Sequence, residues 1–278
     1  MSKTIHLVVL LHGINGTSSE LDYVKEQLIQ HFDSDGVVFE NPSINEGFTN
    51  DGCIKGAERI YDWIMKKKEE MNVGFISFVC HSLGGIYARA VIGMMYRDEV
   101  IPGRMMPMNY ITLATPHLGA RQHAHLGDTI TGMVVKVICG PTVTELTLND
   151  HPTKDGCLFS HLSDKHHIDS LGTFRNLVVY SNVSSDITVN YLTGAIRREH
   201  MDEDKGVKVV HDDRLEILKC KKVRIEDKLY TALNALPWKR FAVYPKRMLF
   251  AHTDMVTRKY GHHVVEHLLT QFYHPNKD

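Results

Sequence analysis

Hydrophobic residues along the chain alternate between short continuous runs and stripes in which apolar positions recur every three or four residues. The first run, residues 5–13 (IHLVVLLHG), is apolar at nearly every position, which is typical of a parallel strand buried on both faces. The stripe that follows consists of Leu21, Val24, Leu28 and Phe32. Its spacing predicts a helix, and Thr17 and Glu20 just before it have the spacing of a capping box.

The rest of the chain repeats this alternation. The further predicted strands are residues 36–43, 75–80, 109–116, 175–183 and one strand within 240–250. The further predicted helices are residues 55–70, 83–96, 222–236 and 262–272. Strands separated by helices predict an α/β fold with a mostly parallel central sheet and helices on both faces.

Residues 117–172 are too long for an ordinary connection between two strands. We interpret them as an insertion within a single domain that spans residues 1–278. The insertion contains an apolar stretch, residues 126–140 (LGDTITGMVVKVICG), which has the character of a mobile lid or of a wall of an acyl-binding site. Ordinary core packing explains the same stretch equally well.

Composition adds a cellular expectation. The formal net charge is −1, with 32 basic and 33 acidic residues, so no basic excess indicates a nucleic-acid partner. The apolar run before His12 is shorter than the core of a signal peptide, and no run reaches the roughly 18 apolar residues of a membrane span. Five scattered cysteines without CxxC spacing indicate free thiols. We therefore expect a soluble, cytoplasmic protein, with no indication of its oligomeric state.

The segment FVCHSLGG places Ser82 between a predicted strand and a predicted helix, which is the context of a nucleophile elbow. Such a turn requires small residues two positions before and two positions after the serine. Gly84 meets the second requirement, whereas Cys80 replaces the usual first glycine. Cysteine behaves as a compact hydrophobic residue, and burial suppresses its thiolate. We therefore predict that Ser82 is the nucleophile and that Cys80 is a packing residue.

The turn HGING follows the first predicted strand. In a hydrolase with a nucleophile elbow, this turn supplies one backbone N–H of the oxyanion hole, and the residue after the nucleophile supplies the other. The sequence thus predicts the main-chain amides of Ile14 and Leu83 as oxyanion donors. Taken alone, the HG turn is equally typical of a plain strand-to-helix connection.

The acid and the base should follow the serine in the order Ser, acid, His. Asp186 lies just past the predicted strand that ends near Val183, which favours it as the acid. Three histidines follow the last predicted strand, and we favour His252 as the base because it directly follows the apolar run MLFA. His262 and His263, at the start of the last predicted helix, are kept as reserve candidates.

The other histidine pairs, His123/His125 and His166/His167, lack accompanying carboxylates at a recognised metal spacing. We therefore expect no metal site and no cofactor.

The ordered motifs resemble a known family. They are LVVLLHGINGTSSEL, ISFVCHSLGGIYARAVIG, YITLATPHLGAR, TELTLND, LVVYSNVSSDITV with a trailing AIRR, and ALPW followed by AHTDMV. The chain is similar to the lipase-like serine esterases of the α/β-hydrolase superfamily, a group long catalogued as a domain of unknown function. The similarity runs over about residues 5–272, and Cys80 is its departure from the family pattern.

The resemblance implies an α/β-hydrolase fold with Ser82 as nucleophile, Asp186 as acid and His252 as base. It also implies hydrolysis of carboxylic esters, with acylglycerols or phospholipids as the leading substrates and a transient contact with a membrane surface. The alternatives are a non-catalytic α/β-hydrolase scaffold that binds a lipid or protein partner, and an acyltransferase or thioesterase that uses the same acyl-enzyme.

Overall fold

The computed structural model describes residues 3–32, 36–120, 140–199, 209–212, 225–247 and 250–275. Within these residues, seven strands form one sheet in the order β2-β1-β3-β4-β5-β7-β6. The strands are β1 (Ile5–Leu11), β2 (Val37–Glu40), β3 (Val73–His81), β4 (Met106–Leu113), β5 (Asn176–Asn182), β6 (Val209–His211) and β7 (Lys239–Val243). All neighbours pair in parallel except β6 and β7, which are antiparallel. The prediction of a mostly parallel sheet is confirmed.

Helices follow most strands and cover both faces of the sheet. A short 3₁₀ helix, Ser18–Leu21, leads into α1. The α-helices described here are α1 (Asp22–Phe32), α2 (Cys53–Glu70), α3 (Leu83–Arg97), α4 (Leu158–His161), α5 (Lys165–Gly172), α6 (Tyr191–Gly194), α7 (Ile225–Asn234), α8 (Ala251–Asp254) and α9 (His262–Gln271). Each helix predicted from hydrophobic spacing is present, and where both can be compared the ends differ by at most two residues. Residues 222–224 of the predicted helix 222–236 lie outside the described residues.

Strand β1 shows why the first apolar run has no polar alternation. Leu7 and Val9 pack into a core cluster on the face covered by α2 and α3. Val8 and Leu10 pack into a second cluster on the opposite face, with residues of α1 and α9. A strand buried on both faces favours an apolar side chain at nearly every position, whichever way that side chain points.

Two local features differ from the sequence analysis. The capping-box interpretation is wrong, because Thr17 makes no side-chain cap hydrogen bond and Glu20 turns toward other partners. Strand β6 was not predicted, since its three residues are too few to show a period. Its antiparallel pairing extends the sheet beyond β7.

The insertion is described in part. Its apolar stretch, residues 126–140, lies outside the described residues apart from Gly140. The later part contributes buried side chains, among them Phe159 and Leu162, to the same core cluster as α3. The guanidinium of Arg89 in α3 is buried and donates to the carbonyls of His117 (2.9 Å) and Leu162 (2.8 Å). These bonds fasten the described part of the insertion to the sheet's helical layer.

None of the described helices combines the length and the apolar character needed to cross a membrane.

The parallel strands β1, β3, β5 and β7 end at the same edge of the sheet. In open α/β sheets, ligands bind beyond the carboxyl ends of the strands. The loops that follow these four strands carry the residues singled out by the sequence, so this edge is where a site is expected.

Candidate active site

Ser82 forms a sharp turn between β3 and α3. Its backbone adopts φ 51° and ψ −123°, a region that residues other than glycine rarely occupy. The turn is held because the Ser82 amide donates to the carbonyl of Leu113 at the end of β4 (2.9 Å). A Cβ at Gly84 would lie 2.2 Å from the Leu11 carbonyl oxygen, so only glycine lets α3 approach β1 this closely. This conformation is the one that a nucleophile elbow needs.

Cys80 lies two residues before the turn, at the end of β3. Its side chain is fully buried in the core cluster shared with α2 and α3. Burial raises the pKa of its thiol well above the usual value. A thiol in this environment is held in its protonated, unreactive form. The geometry agrees with the packing role expected for Cys80.

Asp186 and His252 lie side by side on the loops that follow β5 and β7. The distance between His252 Nδ1 and Asp186 Oδ2 is 2.9 Å. The other carboxylate oxygen of Asp186 accepts from the Thr188 amide (3.0 Å), the Thr188 hydroxyl (2.8 Å) and the Val189 amide (2.9 Å). Burial alone raises the pKa of Asp186, but its bond and charge interaction with His252 and the other donors outweigh burial and hold the pKa well below its usual range. Asp186 is therefore a fixed carboxylate that accepts from the Nδ1 side of the imidazole.

Asn182, the last residue of β5, ties this acid to the histidine's own loop. Its side-chain amide donates to Asp186 Oδ2 (3.0 Å) and to the carbonyl of Ala251 (3.1 Å). Because Ala251 immediately precedes His252, one amide group fixes the backbone on which the imidazole is mounted. Asn182 was not among the site residues predicted from the sequence.

The reserve histidines lie at the start of α9. The rings of His262 and His263 contact one another, with their centroids 5.5 Å apart. Burial lowers the pKa of His263 below its usual value. Of these three histidines, His252 is the one whose ring bonds to Asp186 in the described part of the chain.

The HG turn lies directly against Ser82. A Cβ built on Gly13 would lie 3.0 Å from Ser82 Cβ and 3.5 Å from Ser82 Oγ, so glycine is needed for this approach. The Gly13 amide donates to Glu20 Oε1 (3.0 Å), and the Asn15 amide donates to Thr49 Oγ1 (2.9 Å). Between them, the Ile14 amide has no hydrogen-bond partner among the described residues.

The Leu83 amide opens α3. Within the described chain it likewise has no partner, as the first amides of a helix have none inside the helix. Because the Ile14 amide also lacks a partner, two donors remain for an oxygen atom bound beside Ser82.

A second carboxylate–imidazole pair, Glu20 and His81, lies next to Ser82 and was not predicted from the sequence. The distance between His81 Nδ1 and Glu20 Oε1 is 2.5 Å, and His81 Nε2 lies 2.9 Å from the carbonyl oxygen of His252. The rings of His81 and His252 are 4.7 Å apart. The only signals were a histidine next to the serine and a glutamate whose spacing suggested a helix cap.

The histidines considered as metal ligands have other partners where they are described. His166 Nε2 lies 3.0 Å from the carbonyl of Gly93, and His167 Nδ1 lies 3.0 Å from Asp164 Oδ1. No group of three or more candidate ligand side chains is assembled within the described residues. His123 and His125 lie outside those residues.

Comparison with known proteins gives a family match. A family model described as "Putative serine esterase (DUF676)" matches residues 1–198. The match includes the HG turn, the serine elbow and Asp186, and it ends before His252.

Curated yeast proteins are similar in sequence. The chain is 30% identical over 203 residues to "Putative lipase ROG1" of Saccharomyces cerevisiae, an alignment that covers 70% of this chain and 29% of that protein. It is 26% identical over 215 residues to "Putative lipase C4A8.10" of Schizosaccharomyces pombe, with 70% and 26% covered. The chain thus spans less than a third of the length of these relatives.

Solved structures are similar in fold. Est1E from Butyrivibrio proteoclasticus aligns with a TM-score of 0.52 and 13% identity, covering 97% of this chain and 89% of that chain. RedJ, solved with a polyethylene glycol molecule bound in its active site, aligns with a TM-score of 0.50 and 13% identity, covering 98% and 95%. The predicted α/β-hydrolase fold is confirmed.

Proposed function

The chain belongs to the DUF676 serine esterase family, and from that membership we propose that it hydrolyses carboxylic esters through an acyl-enzyme. Ser82 is the nucleophile, His252 the general base and Asp186 the acid that orients it. The amides of Ile14 and Leu83 form the oxyanion hole. The observation that carries the proposal is the strained Ser82 turn, with the bonded Asp186–His252 pair on neighbouring strand ends.

The acylation step depends on which nitrogen of His252 carries a proton when Asp186 is ionised. Asp186 is an ionised acceptor at His252 Nδ1, so the Nδ1 proton is retained and the Nε2 lone pair is left available. His252 Nε2 takes the Ser82 hydroxyl proton as Oγ bonds to the ester carbonyl carbon. The carbonyl oxygen becomes an oxyanion, which the Ile14 and Leu83 amides stabilise. The C–O bond to the alcohol then breaks, and the alcohol leaves with the proton from His252.

Deacylation repeats these steps with water in place of the serine. His252 removes a proton from water while the water oxygen bonds to the acyl carbon. The bond to Ser82 Oγ then breaks, and His252 returns the proton to the serine. The products are a carboxylic acid and a free enzyme ready for a second ester.

Covalent labelling with a fluorophosphonate probe tests this chemistry. We expect the wild-type chain to be labelled at Ser82. Ser82→Ala should not be labelled, and its rate of ester hydrolysis should fall by at least about 10³-fold. Its circular dichroism spectrum should match that of wild type. Hydrolysis retained by Ser82→Ala would contradict the proposal. A folded wild-type chain that neither labels nor hydrolyses would instead support the non-catalytic scaffold.

We propose a lipid as the ester, and exposed apolar residues near the site support this. Ile187 directly follows Asp186 and is 62% exposed, and Phe250 lies two residues before His252 and is 54% exposed. Phe48 is 58% exposed and precedes Thr49, which binds the oxyanion turn. Exposed apolar residues grouped around one site are typical of contact with a lipid or membrane surface.

A substrate panel tests the lipid assignment. It compares a soluble short-chain ester with monoacylglycerols, phospholipids in vesicles and thioesters. We expect Phe250→Ser and Ile187→Ser to slow hydrolysis of dispersed lipids and to leave the soluble ester unaffected. Met106→Ser is the matched control, because Met106 is also exposed (45%) but lies at the opposite end of the sheet. Equal effects on both kinds of substrate would contradict a lipid-contact role, and preferential turnover of thioesters would support the alternative substrate class.

We also propose that residues 1–278 form a single domain, with 117–172 as its insertion. The supporting observation is that buried side chains from the described part of the insertion share one core cluster with β1, β3 and α3. Side chains that share a core are expected to unfold together.

A further inference from the structure

Three loops meet at Ser82, and one carboxylate–imidazole pair contacts all three. Glu20 Oε1 accepts from the Gly13 amide of the oxyanion turn (3.0 Å) and from His81 Nδ1 (2.5 Å). His81 is the residue immediately before Ser82, and its Nε2 lies 2.9 Å from the carbonyl of His252. We propose that Glu20 and His81 are positioning residues, which hold the oxyanion turn and the His252 loop against Ser82 while His81 is an imidazolium. This proposal deepens the proposed function and rests on it.

The protonation state follows from what each ring nitrogen faces. A backbone carbonyl is only an acceptor, so His81 Nε2 must carry a hydrogen to bond the His252 carbonyl. At the other nitrogen, Glu20 Oε1 already accepts from the Gly13 amide and behaves as a carboxylate oxygen. His81 Nδ1 must then carry the second hydrogen. The ring has two donors only as the imidazolium, so all three contacts hold together only in that form.

The surroundings favour this form. The side chain of His81 is 2% exposed and that of Glu20 is 19% exposed. Burial alone lowers the pKa of His81, but the bond to Glu20 and its charge outweigh burial and raise the pKa above the usual value. Burial alone raises the pKa of Glu20, but the bond and charge of His81, the Gly13 amide and the charge of His12 together outweigh burial and lower the pKa. Each partner is thus held in its charged form by the other.

Other titratable groups face the pair from each element around it. His252 contacts His81 through its ring and its carbonyl, and the charge of Asp186 favours the imidazolium. His12, at the end of β1, acts on Glu20 in the same sense as His81. The carboxylates of Glu20 and Asp186 therefore both favour a charged His81, and Glu20 is the one that bonds to it directly.

A pH dependence follows from the sign of the shift. A histidine whose folded-state pKa is raised keeps its contacts below that pKa and loses them as the pH rises through it. Loss of the proton would leave a lone pair facing either the Glu20 carboxylate or the His252 carbonyl. One of the two loops is then released, and misplacement of catalytic groups by about 1 Å costs on the order of 10²-fold in rate. The pair should therefore set an upper pH limit on activity.

The test is the pH profile of kcat/KM on a soluble ester for wild type, Glu20→Gln and the control Glu58→Gln, whose side chain is exposed on α2. Without the carboxylate the His81 pKa falls, so we expect the alkaline limb of Glu20→Gln to move down by about one pH unit or more. At pH 8 its kcat should fall by about 10- to 100-fold, with KM little changed. Glu58→Gln should match wild type. A Glu20→Gln variant that loses thermal stability but keeps the wild-type pH profile would overturn the proposal.

Histidine NMR supplies a readout that does not depend on activity, with one variant to assign the His81 signal. With ¹⁵N-labelled histidine, His81 should show hydrogens on both ring nitrogens at pH 7, and a His81→Gln spectrum should lack that signal. A neutral His81 at pH 7 would overturn the proposal. If the imidazolium is present in a chain that labels with fluorophosphonate but Glu20→Gln is fully active, the positioning role fails and the esterase proposal stands. If wild type neither labels nor hydrolyses, the esterase proposal fails, and the positioning proposal that rests on it fails as well.

Discussion

Two buried histidines at opposite ends of the same sheet have opposite electrostatic properties. His6 lies near the start of β1 and is 2% exposed, and His81 lies at the end of β3 and is 1% exposed. His6 Nε2 bonds to the hydroxyl of Ser77 (2.7 Å), whereas His81 bonds to a carboxylate. Burial, with a contribution from His274, lowers the pKa of His6 to about 3, but Glu20 raises that of His81. With burial nearly equal, the chemical nature of the partner decides which histidine is charged.

The networks around the two histidines differ in the same way. At the amino ends of the strands, Ser77 also accepts from Asn109, and Asn109 holds the backbone of Tyr273 against the sheet. Every link that joins these groups is a neutral hydroxyl, amide or carbonyl. At the carboxyl ends, the networks contain the carboxylates of Glu20 and Asp186. Neutral links fasten a chain segment, whereas charged links also control where protons reside. The difference agrees with a stabilising role for the amino end and with the proposed chemistry at the carboxyl end.

The comparison is tested most severely by His252→Ala. The proposed base takes a proton from the serine in acylation and from water in deacylation, so we expect kcat on a soluble ester to fall by about 10⁴-fold or more. His262→Ala should change kcat by less than about threefold, because its ring contacts His263 and bonds to no carboxylate among the described residues. The measurement is steady-state hydrolysis at pH 8 with protein whose circular dichroism matches wild type. A large loss in His262→Ala with His252→Ala fully active would reverse the assignment.

A smaller effect is expected at the amino end, where His6→Gln should change stability and not catalysis. A histidine whose folded-state pKa is lowered stabilises the fold above its unfolded pKa of about 6.5, and this contribution is lost as the pH falls toward the folded value. Between pH 7 and pH 5 the wild-type chain should lose about 2 kcal/mol through His6. His6→Gln, which cannot titrate, should lack this component, and its kcat/KM at pH 8 should equal that of wild type.

Urea unfolding at pH 7 and pH 5 measures this difference. The groups facing His6 are Ser77, Phe75, Phe272 and His274, so His274 is the remaining titratable neighbour. Glu58→Gln serves as a surface control. A wild-type chain and a His6→Gln variant with equal pH dependence would contradict the neutral state of His6. A loss of activity in His6→Gln would contradict the separation of the two ends.

Much of the fold could be predicted because its signals are local. A strand such as β1, buried on both faces, is apolar at nearly every position, with His6 as the polar exception, and α1 shows its packed face as a regular stripe. Strand β6 could not be predicted, since its three residues gain their place from pairing with β7. The prediction of a capping box formed by Thr17 and Glu20 was wrong for a related reason. Glu20 has a tertiary partner 61 residues away, His81, and sequence spacing carries no record of such a partner.

The residues of the candidate site also differ in whether a local sequence signal reveals them. The strained turn at Ser82 requires small neighbours next to it in the chain, so its signature is readable. Asp186 and His252 were predicted from their order and from their places after strands, and their side chains are in contact. Asn182 and Glu20 follow no local rule, because each acts by bridging loops that are distant in sequence.

Cys80 gives the smallest and most selective test, because it lies at the carboxyl end but has the properties of a core residue. Its side chain is fully buried, and its raised pKa keeps the thiol protonated. Cys80→Ala should cost about 1 kcal/mol of stability, and Cys80→Gly about 2 kcal/mol, since glycine adds a larger cavity and about 0.5–1 kcal/mol of backbone entropy. Both should keep kcat/KM within about twofold of wild type, measured beside urea midpoints. If Cys80→Gly lost activity while Cys80→Ser retained it, Cys80 would have a polar role in the site. In that case even a buried residue at the carboxyl end would take part in the chemistry.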